Sequence, residues 1–316
     1  MPVGTGINVK LNYATEYSRA LAQAFPYVLN FGALYSTLNN GRYRWVNAKT
    51  IEIPSIRTTG RVNADRDTIA QAQRNYDNAW ETKTLKNERK WSTLVHPMDV
   101  DQTNMVTTIA NITQVFNEEQ KFPEMDAYLV SKIYDDWTKV DDPMSETDPK
   151  AKRTADTTVL TEANVLGVFD ALMLKMDNER VPANGRILYV THEVKALLKN
   201  AEKITRSIDV ESGPNAIDRR VNRLDEVEIV GVPATLMKTK YDFTTGWAVD
   251  DEATQINMFL VHPTAVITPV SYTFSQLDQP SAGSEGKYIY YEEAFEDAFI
   301  LNNKSGAIQF NITAGE

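Results

Sequence analysis

The side chains best suited to chemistry in this sequence include three histidines. His96, His192 and His262 lie far apart along the chain, and no two of them have the spacing of a metal-binding pair. His96 and His262 precede proline at the ends of predicted strands. All three are therefore predicted to be core or boundary residues rather than metal ligands.

Adjacent acidic residues are the other candidates for chemistry, because paired carboxyl groups can supply acid and base catalysis. The pairs are Asp135 with Asp136, Asp141 with Asp142, Asp250 with Asp251, and Glu292 with Glu293. Most of them fall in linkers or turns, where solvation explains them better. The sequence also has no phosphate-binding loop, dinucleotide fingerprint or nucleophile elbow. It predicts a protein that is not an enzyme and that uses no cofactor and no metal.

The composition is that of a soluble protein. Hydrophobic residues make up 42% of the 316 residues and charged residues 24%, which is ordinary for a globular chain. Cysteine is absent, which excludes disulfides and thiolate chemistry and fits folding in a reducing cytoplasm. No stretch has the length of a signal peptide core or a membrane span. We expect a soluble chain that is not exported and has no membrane partner.

Charge is distributed unevenly along the chain. The net charge is −10, which argues against sequence-specific binding of nucleic acid. Residues 41–95 nevertheless hold eleven Lys and Arg against six Asp and Glu, whereas residues 270–316 hold two against seven. A basic segment in an acidic protein is either a solvated face or one half of an electrostatic contact.

The elements that position these charges begin with a predicted β-ribbon. Residues 49–57 alternate like a strand, and Pro54 favours an edge or ribbon position. A polar, turn-prone stretch separates this strand from residues 80–95, which also read as extended chain although neither face of them is apolar. Together they predict a hairpin over residues 49–95, with strands reaching about 50 Å. Because an isolated ribbon of this length is marginal in water, it is expected to rest on a partner.

A long helix follows the ribbon. Apolar residues recur at helical spacing from residue 101 to residue 137, with Asp101 as the predicted N-cap and Pro123 as a kink or as the first residue of a second half. A linker over residues 141–158 leads to a helix beginning near Thr161 and a buried strand at residues 187–190 that passes into a helix. A strand, turn and strand about Gly231, a buried strand with an edge strand from residue 256, and C-terminal strands around residues 272, 288–299 and 308–312 complete an α+β pattern.

This order of elements resembles the Hong Kong 97-type major capsid protein of tailed double-stranded DNA bacteriophages. The resemblance covers nearly the whole chain and depends on the arrangement, since no single motif is specific. It is carried by the hairpin over residues 49–95, by DQTNMVTTIANITQVFNEEQKFPEMDAYLVSKIYDDW, and by the segments GRILYVTHEVKALLKN, LDEVEIVGVPATLM and INMFLVHPTAVITPV.

The resemblance implies a Hong Kong 97-like fold with five parts. These are an N-terminal arm (1–45), an extended β-hairpin loop (46–97), a spine helix with the first part of a peripheral domain (98–154), an axial domain (155–256) and the second, C-terminal part of the peripheral domain (257–316). It further implies a structural protein that self-assembles as pentamers and hexamers into an icosahedral shell around packaged DNA, in a virion assembled in the bacterial host cytoplasm.

Read through this resemblance, the basic ribbon lies across the acidic surface of a neighbouring subunit. The residues expected in that contact are Arg57, Arg61, Arg66, Arg74, Lys83, Lys86, Arg89, Lys90, Glu292, Glu293, Glu296 and Asp297. Some members of the family join a ribbon lysine to an asparagine of the next subunit. Lys83, Lys86, Asn302 and Asn303 are present here but do not align with those roles. We expect the two lysines to pair with acids and the shell to be non-covalent.

The implied partners are many copies of the chain itself, a separate scaffolding protein, a portal, and double-stranded DNA that is contacted without sequence specificity. Three alternatives remain open at this stage. An encapsulin-like cellular compartment has the same fold but would need a pocket for a cargo peptide. A tail or connector component would form rings or tubes, and a soluble enzyme would remain a small oligomer.

Overall fold

A computed structural model describes residues 27–61, 74–102, 108–145, 148, 150–201 and 223–314. The predictions made for the first 26 residues and for the ribbon tip at residues 62–73, including Arg66, lie outside these ranges. The helices are α1 (Gly32–Tyr35), α2 (Pro97–Gln102), α3 (Ile109–Phe116), α4 (Phe122–Trp137), α5 (Val165–Asn178) and α6 (His192–Asn200). The strands are β1 (Arg44–Asn47), β2 (Thr50–Thr58), β3 (Tyr76–Thr84), β4 (Glu88–Val95), β5 (Ile187–Thr191), β6 (Arg223–Leu224), β7 (Val227–Val232), β8 (Tyr241–Asp242), β9 (Ala248–Val249), β10 (Ile256–Val261), β11 (Val266–Ile267), β12 (Val270–Asp278), β13 (Tyr288–Glu296), β14 (Phe299–Ile300) and β15 (Ile308–Ile312). The predicted mixture of helices and strands is confirmed.

The main core surrounds a five-stranded sheet in the order β15-β10-β5-β7-β6, in which β5 and β7 are parallel and joined through α6. Alternate residues face opposite sides of the sheet. Phe259 and Phe310, paired in register, stack at 4.7 Å between ring centroids on the side covered by α4. Leu188 and Leu260 face the other side, where α5 and α6 pack. Burial on both faces explains why β5 and β10 are apolar runs rather than alternating ones.

The boundaries of the predicted five-part division do not coincide with the boundaries of this sheet. Strands β10 and β15 were placed in the peripheral domain, but both complete the sheet that contains β5 and β7. The predicted boundary between residues 256 and 257 therefore cuts through a buried strand, because Ile256 and Met258 are both fully buried. Strands β4, β12 and β13 form a separate three-stranded sheet, in the order β12-β13-β4.

The predicted hairpin over residues 49–95 is wrong in its second half. Strand β3 pairs with β2, but β4 leaves the ribbon and pairs with β13. The two strands are separated by residues 85–87, where Leu85 is buried and ends the exposed ribbon. The paired arms are nine residues long, which corresponds to about 30 Å rather than 50 Å. Pro54 fits this geometry because β1 pairs only with Thr50–Glu52 and has ended before the proline.

The long helix also differs from the prediction at its start. Asp101 lies inside α2, and the residue that caps α3 is Thr108, whose hydroxyl accepts a hydrogen bond from the Asn111 amide. From Ile109 the chain stays helical to Trp137, through a π-helical turn at Asn117–Lys121. Pro123 lies in the first turn of α4, as predicted. Proline has no amide hydrogen to donate, and the π-helical turn just before it changes the hydrogen-bonding pattern of the helix at the point where that bond is missing.

The Thr108 cap gives a first testable prediction. Replacing Thr108 by alanine removes the acceptor for the Asn111 amide and should lower the free energy of unfolding by about 1 kcal/mol. Urea denaturation followed by circular dichroism measures the change. A Thr108→Ser variant retains the hydroxyl and should stay close to the natural protein; equal losses in both variants would contradict the capping role.

Gly231 is not in a turn, contrary to the prediction. It lies within β7, and a β-carbon there would approach the His192 ring to 3.0 Å, so a larger residue would require the His192 side chain to shift slightly. The turn lies before the strand, where Asp225 and Glu226 both adopt positive φ between β6 and β7. The helix predicted from Thr161 begins at Val165, and the C-terminal strands occur where the sequence places them.

Candidate intersubunit surfaces

The ribbon of β1, β2 and β3 exposes an apolar face that neither long strand shows alone. Pro54 lies opposite Trp80, and Tyr76 lies opposite Thr58, so that Pro54, Ile56, Tyr76 and Trp80 share one side. Ile56 is 71% exposed, Tyr76 56% and Trp80 45%. Apolar side chains clustered in this way mark an interaction surface. Sequence reasoning missed the face because it requires both strands in register.

The base of the ribbon is fixed to its own subunit. Ile51 and Leu85 pack in a buried cluster with Ile267, Phe295, Phe299 and Leu301. Asp297 accepts hydrogen bonds from the Lys86 amide at 2.8 Å and from the Tyr128 hydroxyl at 2.7 Å. These contacts hold the bend between β3 and β4. Asp297 is buried in this role, so we no longer place it in the intersubunit set.

Lys83 makes its described contacts within its own subunit. Its ammonium lies 2.7 Å from the Glu81 carboxylate and donates to the Asn302 side-chain oxygen at 3.1 Å. The expected pairing of Lys83 with an acid is therefore local to the ribbon base. The Lys86 side chain is exposed beside it, and only its backbone is held by Asp297.

Arg89 also serves its own subunit. Its guanidinium donates to Glu124 of α4 at 2.6 Å and to the carbonyl oxygens of Phe243 and Gly246 at 2.6 and 3.0 Å. Glu292 pairs with Lys121 at 3.1 Å across the same space. Two residues assigned to the intersubunit contact thus join the sheet β12-β13-β4 to the long helix, because β4 and β13 are neighbours in one subunit.

A cavity of about 460 Å³ separates that sheet from the helix. The Trp91 ring stacks on Phe116 at 3.9 Å at this joint. Charged side chains, among them Arg89, Lys121, Glu124, Glu292 and Glu296, line the cavity. Burial raises the pKa of Glu296; the nearby carboxylates of Glu124 and Asp297 raise it further, and Lys121 opposes them. Among the described residues no group of His, Asp and Glu has the arrangement of a metal site.

The raised pKa of Glu296 predicts a pH dependence. A carboxyl group whose pKa is higher in the folded than in the unfolded chain stabilises the fold while protonated, and this contribution is lost as pH rises through the folded-state pKa. A Glu296→Gln variant should therefore gain stability relative to the natural protein as pH increases from about 4 to 7. Urea denaturation at several pH values tests this. A Glu293→Gln variant is the matched control, and the same trend in both would refute the assignment to Glu296.

The outer side of the sheet carries a second exposed apolar surface. Tyr272 and Phe274 of β12 stack on each other and are 48% and 38% exposed. The Phe274 ring also contacts Tyr291 of β13, and Leu94 of β4 is exposed on the same side. The outer edge of β12 pairs with no strand in the part of the chain that the structure describes.

The remaining predicted contact residues lie on the surface. Arg57, Arg61 and Arg74 are exposed on the distal ribbon, and the Arg74 guanidinium lies over the Tyr76 ring at 5.0 Å. Lys90 and Glu293 are opposite each other on β4 and β13. The structure therefore separates the eleven predicted residues that it describes into surface groups and a group that acts within the subunit.

The histidines and acidic pairs that were considered for metal binding or catalysis lie at helix ends or in ion pairs. His192 begins α6, His96 precedes α2, and His262 caps a short helical turn, where it bonds Thr264. Asp135 and Asp136 pair with Lys139 and Lys132 one helical turn away. No helix in the described residues is long and apolar enough to cross a membrane.

Comparison with known proteins gives matches in structure only. No family model and no curated protein matches the chain. Among solved structures, a chain of the bacteriophage PhiM1 mature capsid is 13% identical with a TM-score of 0.63, over 98% of this chain and 92% of that one. A chain from the capsid of cyanophage P-SCSP1u is 12% identical with a TM-score of 0.62, over 99% and 96%. A chain from the capsid of a native GTA particle is 12% identical with a TM-score of 0.57, over 96% and 95%. At these identities the likeness establishes a shared fold.

Proposed function

We propose that this chain is the structural, non-enzymatic major capsid protein of a tailed double-stranded DNA bacteriophage, with a Hong Kong 97-like fold. The observation that carries the proposal is the match to capsid chains over nearly the full length of both partners. A shared domain inside an otherwise different protein would leave a large part of one chain unmatched. The two exposed apolar surfaces support the same conclusion, since a protein that works alone rarely leaves such surfaces open.

The five parts take the following roles in the proposal. The arm (1–45) and the ribbon reach neighbouring subunits, the spine helix crosses the peripheral domain, and the axial unit meets its copies around five-fold and six-fold axes. We extend the axial unit beyond residue 256 to include β10 and β15, because they complete its sheet. Many modest contacts repeated with closed symmetry then give a strong shell.

The intersubunit contact uses the surface residues of the predicted set. The exposed Arg57, Arg61 and Arg74 of the ribbon face acidic groups such as Glu293 of the next subunit. Exposed ion pairs contribute little each, about 0–1 kcal/mol, so they set orientation rather than strength. The contacts of Lys83 with Glu81 and Asn302 of its own chain support a non-covalent shell.

The net charge of −10 suits an inner wall that contacts packaged DNA without gripping it. In the proposal the chain assembles in the bacterial host cytoplasm with a separate scaffolding protein and a portal, and ends in the virion capsid.

Negative-stain electron microscopy of the expressed protein, alone and with added scaffolding protein, tests the proposal. Closed icosahedral or polymorphic shells are the expected result, and denaturing electrophoresis of the shells should show only the monomer band. Rings or tubes would point to a connector or tail component, and shells filled with an enzyme instead of DNA to a cellular compartment. A single small oligomer under all conditions would overturn the proposal.

A further inference from the structure

We propose that the free edge of β12 pairs with the free edge of β3 from a second copy of the chain, so that the ribbon of one subunit continues the sheet of the next. The inference rests on the proposed function and specifies how neighbouring subunits are joined: by main-chain hydrogen bonds between strands, with aromatic contacts beside them.

Strand β12 has almost none of the features that normally protect a sheet edge. It is nine residues long and contains no lysine, arginine or proline; its single charge is Asp278 at one end. Every residue except Ser271 is exposed. A bulge interrupts the pairing between Val270 and Tyr272, so the regular edge begins at Tyr272. A long, exposed and largely uncharged edge is a template for another strand.

Strand β3 offers a matching edge. The ribbon order is β1-β2-β3, which leaves one side of β3 without a partner strand among the described residues. It is also nine residues long and free of proline, and residues 76–80 are all exposed. Its base is anchored in the buried cluster around Ile51 and Leu85, so the distal half extends away from its own core.

The side chains favour this pair of edges over others. Tyr76 and Trp80 share a face of β3, and Tyr272 and Phe274 share a face of β12. Joining the edges places these aromatic side chains as cross-strand neighbours, which is a stabilising arrangement in sheets. The distal ribbon carries Arg57, Arg61 and Arg74, whereas β12 and β13 present Asp278 and Glu293.

The contact joins two different surfaces of the same chain. Each copy gives its ribbon to one neighbour and receives a ribbon on β12 from another. A heterologous contact of this kind closes into rings when the rotation permits, as capsomers require.

Cysteine crosslinking tests the pairing cleanly because the chain has no cysteine of its own. Asn78→Cys places a thiol on β3 and Gln276→Cys places one on β12, both at exposed positions. Assembled particles are treated with a short bis-maleimide and separated by denaturing electrophoresis. The double variant should give a ladder of crosslinked multimers, with the 78–276 link identified by mass spectrometry. When Asn78→Cys copies and Gln276→Cys copies are mixed before assembly, the crosslinked products should be dimers and no larger.

Matched controls separate this pairing from other contacts. Each single variant alone should stay monomeric on the gel, and Asn78→Cys combined with Val159→Cys, an exposed residue outside both strands, should not crosslink. Shells that form normally without the 78–276 link would overturn the pairing and leave the proposed function intact. Dimers in the Gln276→Cys variant alone would show that β12 pairs with β12 instead. Failure to form any shell would contradict the proposed function and the pairing with it.

Discussion

A chain in which residues 55–79 are replaced by Asn-Gly is expected to fold as a subunit but to form no closed shell. Pro54 and Trp80 lie opposite each other in the ribbon, so a two-residue turn can join them. The base is left in place, with Ile51 and Leu85 buried and Lys83 bonded to Asn302. The shortened chain loses the exposed Ile56 and Tyr76 and the distal arginines that are proposed to reach the neighbour.

The measurement has two parts. Circular dichroism and urea denaturation should show a cooperatively folded subunit, and sedimentation with negative-stain microscopy should show that particle formation falls to background. An Asp77→Asn variant, which changes one exposed ribbon residue and keeps the full length, is the control and should still assemble. Normal shells from the shortened chain would show that the ribbon is not the intersubunit element.

A Gly306→Ala variant is expected to lose about 3–5 kcal/mol of unfolding free energy, the usual cost of breaking a buried ion pair. A β-carbon at residue 306 would lie 1.7 Å from the Glu179 carboxylate. That carboxylate binds both terminal nitrogens of Arg153 at 2.7 and 2.8 Å. Arg153 is only 3% exposed and its remaining contact includes the Ser305 hydroxyl. Displacing Glu179 would leave a buried guanidinium without its main partner.

Urea denaturation measures this loss, with Gly283→Ala as the matched control. A β-carbon at residue 283 meets only the Ser281 hydroxyl, at 3.7 Å, so the control should change stability by less than about 0.5 kcal/mol. Equal stability of both variants would mean that Glu179 can move aside without releasing Arg153. The pair connects the linker at Arg153 to the end of α5, so its loss is also expected to loosen the linker.

Local periodicity identified the elements that are long or strongly patterned. The apolar run at residues 187–190 and the run from residue 256 are buried strands, and the helical spacing from Ile109 to Trp137 is a helix. Pro123 lies in the first turn of α4 because proline's missing amide is tolerated there. Signals within a few residues of one another suffice for such features.

Strand partners were not predictable in the same way. Residues 80–95 look like one extended segment, but β3 and β4 belong to different sheets because Leu85 is buried at the bend and Asp297, more than two hundred residues later, holds the Lys86 amide. For the same reason, the sequence did not reveal that Arg89 and Glu292, both predicted for a contact between subunits, contact Glu124 and Lys121 of their own chain. Opposite charges on separate segments do not reveal that β4 and β13 are neighbours in one chain.

The sequence by itself determined the fold class, the absence of thiol chemistry and the uneven charge, since these follow from composition and local order. It also supported the resemblance through the order of the elements. Only the tertiary structure decided which charges are satisfied internally and which surfaces stay open. The apolar face of the ribbon exists only when Pro54 lies opposite Trp80. Strand β12 lies at the edge of its sheet because β13, which pairs with β12 on one side, pairs with β4 on the other. Both depend on contacts between residues distant in sequence, which a local pattern does not encode.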